Sequence, residues 1–521
     1  MSTVFFANEV TKTKKEDILH EGRLGTYSAD ASSYTSSTDI DVRLLQAVIK
    51  INSAHVVMMH EQGIIDRRKA TDLLEALNRV PKNLEMTDEL EDVHMNVENF
   101  VISKIGREAG GMMNLAKSRN DQVATALRMV LREQLVALGD AMISLEESLL
   151  DQAQTHFETV SPGYTHLQRG QPVTLGHHLL AHFDSLDRDF ARLVDCYLRT
   201  DLSPMGSGAL ASSGFDISRE RTAELLGFES VLENSIDAVS SRDFAIEAIY
   251  LCAQTMTDLS RLAEELILWS TKEFSFAEMS DEFSSTSSMM PQKKNAIVPE
   301  IFRARTSQVT GDLIGAMGIV KSLPLSYNLD LQELTRNLWS ATDKATFSIS
   351  ILAEVVQETE FNKGKLNEAV TSDEFLYSTE LADFLVSKFG LSFREAHSRV
   401  GKLVKFASDK GKIELQFTGL DPRTVSEILG LSITKEDLAS IVNPKILLEK
   451  RKSTGSPNPK KVLAGCRART KAVEKHKATL GTFRHAIASS DELLSSVSNK
   501  IKKSGADERT RKPTTNVEVK E

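Results

Sequence analysis

The chain has 521 residues, 41% of them hydrophobic and 26% charged, enough to bury a sizeable core in roughly three domains or in one large helical body with end domains. A formal net charge of -10 excludes a general nucleic-acid-binding face, which needs a basic domain surface, and favours small-molecule chemistry. Three widely spaced cysteines, Cys196, Cys252 and Cys466, exclude a disulfide framework and a Cys-rich zinc site; without a signal-peptide pattern or an apolar run of about 18 residues, the chain reads as cytoplasmic.

Residues 1 to about 40 are rich in Ser and Thr and read as an extended segment leading into a helix, with Asp39 or Asp41 as its N-cap. Leu44, Leu45, Val48, Ile49 and Ile51 recur at helical spacing, and another helix starts at Asp66. In Glu91-Asp-Val-His-Met-Asn-Val-Glu98 a helix would put His94 and Glu98 on one face. No further His or Cys stands at ligand spacing, so no metal site is expected. Ser118-Arg-Asn-Asp121 enters a long helix whose apolar stripe runs from Leu127 to Leu149, at the end where free N–H groups favour anions; helix capping accounts for the same residues.

Pro162-Gly-Tyr-Thr-His-Leu-Gln-Arg-Gly-Gln-Pro172 is a second polar cluster, ahead of a helix beginning near Leu175, and its His166 is placed outside the core. His177 and His178 read instead as packing or surface histidines. The glycine-rich run from Ser203 follows no strand and lacks a phosphate-loop Lys, so it is not a nucleotide fingerprint. Further long helices follow Ser240-Ser-Arg-Asp, run from Glu300 to about Leu323, and from near Leu338 to Val356. The pattern predicts an all-α fold: a long central helical bundle (116–370) between smaller helical N-terminal (1–115) and C-terminal (371–488) domains. Residues 489–521 are Lys/Glu/Ser-rich and read as a charged, disordered tail.

The densest chemistry lies in Ser284-Ser-Thr-Ser-Ser-Met-Met-Pro-Gln-Lys-Lys-Asn-Ala-Ile-Val-Pro-Glu300, which reads as a mobile polar loop. A serine hydroxyl takes part in proton transfer only where its alkoxide is stabilised, and Lys293 and Lys294 could supply that charge. Asn295 adds a donor and an acceptor for orienting a substrate. A solvated loop with a routine Lys-Lys pair is the plainer reading of this stretch taken alone.

Ser118-Arg-Asn-Asp-Gln122, Gly163-Tyr-Thr-His-Leu-Gln168 and Ser287-Ser-Met-Met-Pro-Gln-Lys-Lys-Asn295, with Ser203-Pro-Met-Gly-Ser-Gly-Ala-Leu and Tyr327-Asn-Leu-Asp-Leu-Gln-Glu333, together resemble the argininosuccinate lyase family of the fumarase/aspartase superfamily, from about Gly22 to about Gly465. The resemblance implies a fumarase/aspartase-like homotetramer with each active site built from three subunits, and reversible β-elimination of argininosuccinate to arginine and fumarate without a cofactor. It implies catalytic roles for Ser287 as base, Lys293 as stabiliser of the carbanion, and His166, held by Glu300, in the opposite proton transfer; the reverse assignment of acid and base stays open. Substrate binding would fall to Ser37, Asn120, Thr165, Asn295, Tyr327 and Gln332, with His94 and Arg119 as carboxylate neighbours.

Three departures from the family pattern stand out. Asn114-Leu-Ala-Lys117 replaces the common His-Thr-Gly-Arg, which would cost one polar contact. Ala296 replaces a Pro, which should loosen the loop exit. Thr335 stands where a lysine is expected, and the neighbouring Arg336 would point about 100° away on a helix, so substrate anchoring should be altered there. The competing readings are a sister lyase acting on adenylosuccinate, fumarate or aspartate, and a non-catalytic homologue resembling a lens crystallin.

Overall fold

The computed structural model describes residues 28–409 and 417–510; residues 1–27 of the polar N-terminal segment and 511–521 of the tail lie outside them. Ser28 caps α1 (Ala29–Thr35), accepting from the Ala31 N–H at 3.4 Å, so residues 29–35 are helical and not extended. Asp39 lies inside the single turn Thr38–Asp41; Asp41 stands at the N-cap position of the 3-10 turn Val42–Leu44 without a side-chain bond there, and its Oδ2 accepts instead from the Val93 N–H at 3.3 Å. α2 (Leu45–Glu61), α3 (Arg67–Leu77) and α4 (Val93–Ile105) follow, with Val48, Ile51, Leu73 and Val97 fully buried at the helical spacing the sequence shows.

Five long helices form the body: α5 (Arg119–Thr155), α6 (Leu175–Thr200), α7 (Asp243–Ser270), α8 (Ile297–Val320) and α9 (Asp330–Glu358). Cross-contacts fix their directions. Gln134 Oε1 accepts from Thr342 Oγ1 near the start of α9, and Gln152 Nε2 donates to the Val356 and Thr359 carbonyls near its end, so α5 and α9 run parallel. α6 returns antiparallel to α5, because the two are joined by a tight hairpin of β1 (Val160–Thr165) and β2 (Gln168–Thr174). α7 starts beside the α5 N-terminal half, where Arg128 Nη2 donates to Ser241 Oγ at 3.2 Å, and ends beside the start of α6, where Trp269 meets the His178 ring edge-on. α8 runs back down: Asp312 meets Ser340 and Gly315 packs against Asn337.

The bundle therefore has a base, where α5, α7 and α9 begin, and a top, where α6 and α8 begin. At about 1.5 Å per residue, the 37 residues of α5 separate the two by about 55 Å. Two buried arginines secure the base. Arg128 donates to the Arg199 and Thr200 carbonyls at the end of α6 and stacks 3.9 Å over Phe244; Arg132 holds Asp201 at 2.5 Å and lies 4.0 Å from Phe228. Both satisfy backbone groups that a helix end leaves without partners.

A second core, around Tyr377, Leu381, Leu403, Val425 and Leu448, belongs to α10 (Lys363–Thr371), α11 (Ser378–Phe389), α12 (Phe393–Asp409), α13 (Pro422–Leu429), α14 (Lys435–Ile441) and α15 (Pro444–Lys450). The chain then rejoins the main body through α16 (Pro459–Thr510). Arg469 pairs with Asp184, Leu480 sits so close to Gly139 that an added Cβ there would meet it at 2.8 Å, Lys50 pairs with Asp491, and Leu494 and Ile501 are buried in the main core. This corrects the expectation of a disordered tail from residue 489. The polar residues that suggested disorder form the outer face of a helix whose sparse apolar positions are enough to dock it.

A chain ending at Ala488 loses Leu494 and Ile501 from the core. With about 1.5–3 kcal/mol for each large buried side chain, its urea midpoint is expected to fall clearly below that of the full-length chain.

Candidate active site

The residues singled out from the sequence divide between the two ends of the bundle. At the base, Ser118 and Asp121 form a capping box at the start of α5: Ser118 Oγ accepts from Asn120 N–H at 3.3 Å, and Asp121 Oδ1 accepts from Ser118 N–H at 3.0 Å. The other oxygen of Asp121 accepts from the N–H groups of Gly206 and Gly208 at 3.1 and 2.8 Å. The glycine-rich run is thus a backbone cradle for a buried carboxylate. Gly208 has a φ of 60°, and a Cβ there would lie 2.4 Å from the Ser212 carbonyl oxygen, so only glycine fits. The same loop offers the Ala209 carbonyl to Asn120 Nδ2 at 3.0 Å.

Around this entrance, Arg119 pairs with Asp92, which also caps α4 by accepting from Met95 N–H at 2.8 Å. Ser37 is buried, donating to Asp41 Oδ2 at 2.7 Å, and burial raises the Asp41 carboxyl to about 6. His94 is buried with Nδ1 3.1 Å from Gln122 Oε1; Nε2 has no partner, and burial lowers the imidazole to about 4, so it is neutral at physiological pH. Tyr327, raised by burial, lies within the fields of Arg242, Asp92, Asp41 and Arg119, and Gln332 Nε2 donates to the Thr35 carbonyl at 2.8 Å. A polar cavity of about 180 Å³ opens here, lined by His94, Glu98, Asn114, Lys117, Ser118, Arg119 and Gln122.

The replacement of the usual His-Thr-Gly-Arg is therefore not a simple loss. Asn114 and Lys117 both line the cavity, and Lys117 donates to Asn52 Oδ1, with desolvation lowering its ammonium to about 7. Ala116 stands at the family's Gly and adopts a φ of 63°, which explains why glycine is common there. Thr335 is buried at 4% exposure, while the guanidinium of Arg336 points outward into a two-bond ion pair with Asp39 at 2.6 and 3.1 Å.

At the top, the expected mobile loop is an ordered hairpin arm. Ser285 and Thr286 (β3, Ser285–Thr286) pair with Asn295 and Lys294 (β4, Lys294–Asn295), and the Ser287 N–H donates to the Lys293 carbonyl at 3.3 Å. Ser287 Oγ accepts from the N–H groups of Met289 and Met290 at 3.2 and 3.0 Å. Two backbone donors aimed at one hydroxyl oxygen stabilise negative charge there. The two lysines are not equivalent. Lys294 is bound to Asp281 at 2.8 Å and Glu278 at 3.3 Å and fastens the arm, whereas among the described residues no carboxylate pairs with the exposed Lys293. Glu300 is exposed in the first turn of α8; Ala296 is buried at its entrance, so the arm's exit is packed.

Thr165 and His166 lie at the tip of the β1–β2 hairpin, also at the top. His166 and Leu167 have φ values of 54° and 59°, the left-handed pair of a two-residue turn usually taken by Asn-Gly. Such strain in bulky residues marks a tip whose side chains are needed outside, and both are exposed. Sequence reading missed the strands, and it missed Asp41, Asp92, Gln122 and Arg242 as supports. The Ser118-x-x-Asp121 spacing was the one available signal for the cradle.

A family model described as Lyase matches residues 32–311, and one described as Argininosuccinate lyase C-terminal matches residues 375–449. The solved EDDS lyase in complex with formate superposes with a TM-score of 0.84 at 30% identity, covering 91% of this chain and 95% of that one; a class II fumarase from Schistosoma mansoni, 18% identical, shares the fold with a TM-score of 0.67. Fold and site thus define an all-α lyase of the fumarase/aspartase superfamily. The curated argininosuccinate lyase of Methanothrix thermoacetophila is 41% identical over 92% of this chain and 98% of its own length, and that of Methanocaldococcus jannaschii is 41% identical over 86% and 92%. The chain belongs to the argininosuccinate lyase family.

Burial raises Asp121 from 3.8 to about 6, so the folded state binds this proton more tightly than the unfolded chain, and stability from this group falls as pH rises through that window, by at most about 3 kcal/mol. Asp121→Asn does not titrate and turns an amide donor toward N–H donors. It is expected to be less stable than the parent, with the deficit larger near pH 4 than at pH 7; urea midpoints at both values check this.

Proposed function

We propose that this chain catalyses the reversible β-elimination of argininosuccinate to arginine and fumarate in arginine biosynthesis, in the cytoplasm and without a cofactor. The family supports the substrate, and the observation that carries the chemistry is the Ser287 hydroxyl, held by two N–H donors beside Lys293, which pairs with no carboxylate among the described residues. In this reading Ser287 takes the proton from the succinyl carbon next to a carboxylate, and Lys293 with the backbone donors offsets the charge of the aci-carboxylate. As the C–N bond breaks, His166, positioned by Glu300, passes a proton to the departing guanidino nitrogen. The neutral His94 and the cation Arg119 face the carboxylates from the base cavity, with Ser37, Asn120, Thr165, Asn295, Tyr327 and Gln332 orienting the rest.

One chain cannot bring these groups together, because the arm and hairpin stand about 55 Å from the base cluster. We infer a homotetramer in which the base of one bundle meets the tops of others. Ile297, Ile301, Ile314 and Met317 of α8 and Phe347 of α9 form an exposed apolar face suited to such packing. Complementary loss and recovery test it. With argininosuccinate, adenylosuccinate, fumarate and aspartate assayed in parallel, only argininosuccinate is expected to react, with the change followed by fumarate absorbance. Ser287→Ala and His166→Asn should each lose about 10²–10⁴-fold in kcat. Co-refolded mixtures of the two should regain activity; mixtures as inactive as the parents would refute shared sites.

Arg336 already has its charge matched by Asp39, and the exposed pair is worth little. Arg336→Ala is expected to leave KM for argininosuccinate within about fivefold, consistent with anchoring that does not use this cation; a larger rise would make it the substitute for the missing lysine.

A further inference from the structure

His178 and His182 stand one turn apart on α6, and both imidazoles face Glu265 on the neighbouring α7. His178 Nε2 lies 2.6 Å and His182 Nε2 2.8 Å from the same oxygen, Glu265 Oε2, and the three side chains each present a ligand atom within 4.8 Å of the other two. The two rings are 5.5 Å apart and inclined at 56°, and Trp269 closes one side, edge-on to His178 at 5.2 Å. The side chains of His178 and Glu265 are 31% exposed and that of His182 12%, so the cluster is walled by protein yet open to an ion.

We propose that His178, His182 and Glu265 form a binding site for a divalent transition metal of the zinc type. The donor set carries the argument: two imidazole nitrogens and one carboxylate oxygen suit borderline ions and not magnesium or calcium, and three protein ligands leave a position for water. Coordination uses the Nε2 lone pair of each ring, so the Nε2 proton that each ring now donates to Glu265 moves to that ring's Nδ1 or to solvent. The other group of this kind among the described residues is built differently. His476 directs Nδ1 to Glu146 and Nε2 to Asp187, so its two nitrogens serve separate carboxylates and do not converge.

The position gives the site a consequence. α6 starts directly after the hairpin that carries Thr165 and His166, and α7 ends directly before the segment leading to the Ser287 arm. An ion shared by the first turns of α6 and the last turns of α7 ties the roots of hairpin and arm together, reinforcing the Tyr164–Phe274 ring contact at 6.0 Å.

The test uses full-length protein stripped with a chelator and titrated with Co²⁺. A visible ligand-field absorption saturating at one ion per chain and displaced by Zn²⁺ is expected, together with a rise in the thermal midpoint. Glu265→Gln, which keeps the volume and a hydrogen-bonding oxygen, and His182→Ala should each weaken Co²⁺ binding by about tenfold or more, while His476→Ala should keep the absorption. Absence of the band, or a band unchanged in both Glu265→Gln and His182→Ala, would reduce the cluster to a hydrogen-bonded clamp and overturn the proposal.

Discussion

A helix of 37 residues cannot be bent back on itself, and that rigidity decides where chemistry can happen in this protein. α5 begins in the capping box beside Arg119 and Asn120 and ends just before the hairpin of His166. Each of the other body helices adds a polar segment at one end or the other, while the faces that pack between them are mostly apolar. The consequence is a subunit with its polar clusters at the two poles, Arg119 and Asn120 at the base and Ser287 and His166 at the top. Its arm, its hairpin tip and an apolar flank on α8 and α9 are all exposed.

Electrostatics then distinguishes groups that build the scaffold from groups left for a ligand. Lys294, Arg128, Arg132 and Arg336 are each committed to a carboxylate or to helix-end carbonyls. Lys293, the unpartnered Nε2 of His94 and the exposed His166 are not so committed. Of these only His94 Nε2 is a buried polar atom without a partner among the described residues, and it belongs to a side chain that lines the base cavity. Asp121 shows the opposite case: its charge is costly to bury, and the N–H groups of Gly206 and Gly208 hold it so that the α5 entrance stays fixed.

The long helices were legible in the sequence because a 3.6-residue apolar period over many turns has no competing explanation. What escaped was structure made by few residues. The β1–β2 hairpin has no Asn-Gly at its turn, because His166 and Leu167 occupy the left-handed positions against their preference, and so the strongest local hairpin signal is absent. The docked end of α16 escaped for a related reason: Leu494 and Ile501 are too sparse to register against a charged background, although two anchors are enough once the rest of the helix is held by Arg469 and Leu480. Of the site, the polar clusters could be read, but their supports could not, since Asp41 and Asp92 become partners of Ser37 and Arg119 only through the fold.

Strain is distributed in the same way. The left-handed residues that are not glycine include Ala116, beside the base cavity, and His166 and Leu167, at the hairpin tip. Each costs on the order of 1–2 kcal/mol that ordinary loop residues would avoid. At His166 that cost holds an imidazole at the outermost point of a rigid two-stranded support, where neither a helix nor a flexible loop would fix it. At Ala116 the chain keeps a bend that glycine would make freely, because the bend places Lys117 and Ser118 on the cavity wall. Backbone strain is thus found at both poles, where the hairpin tip and the wall of the base cavity are built.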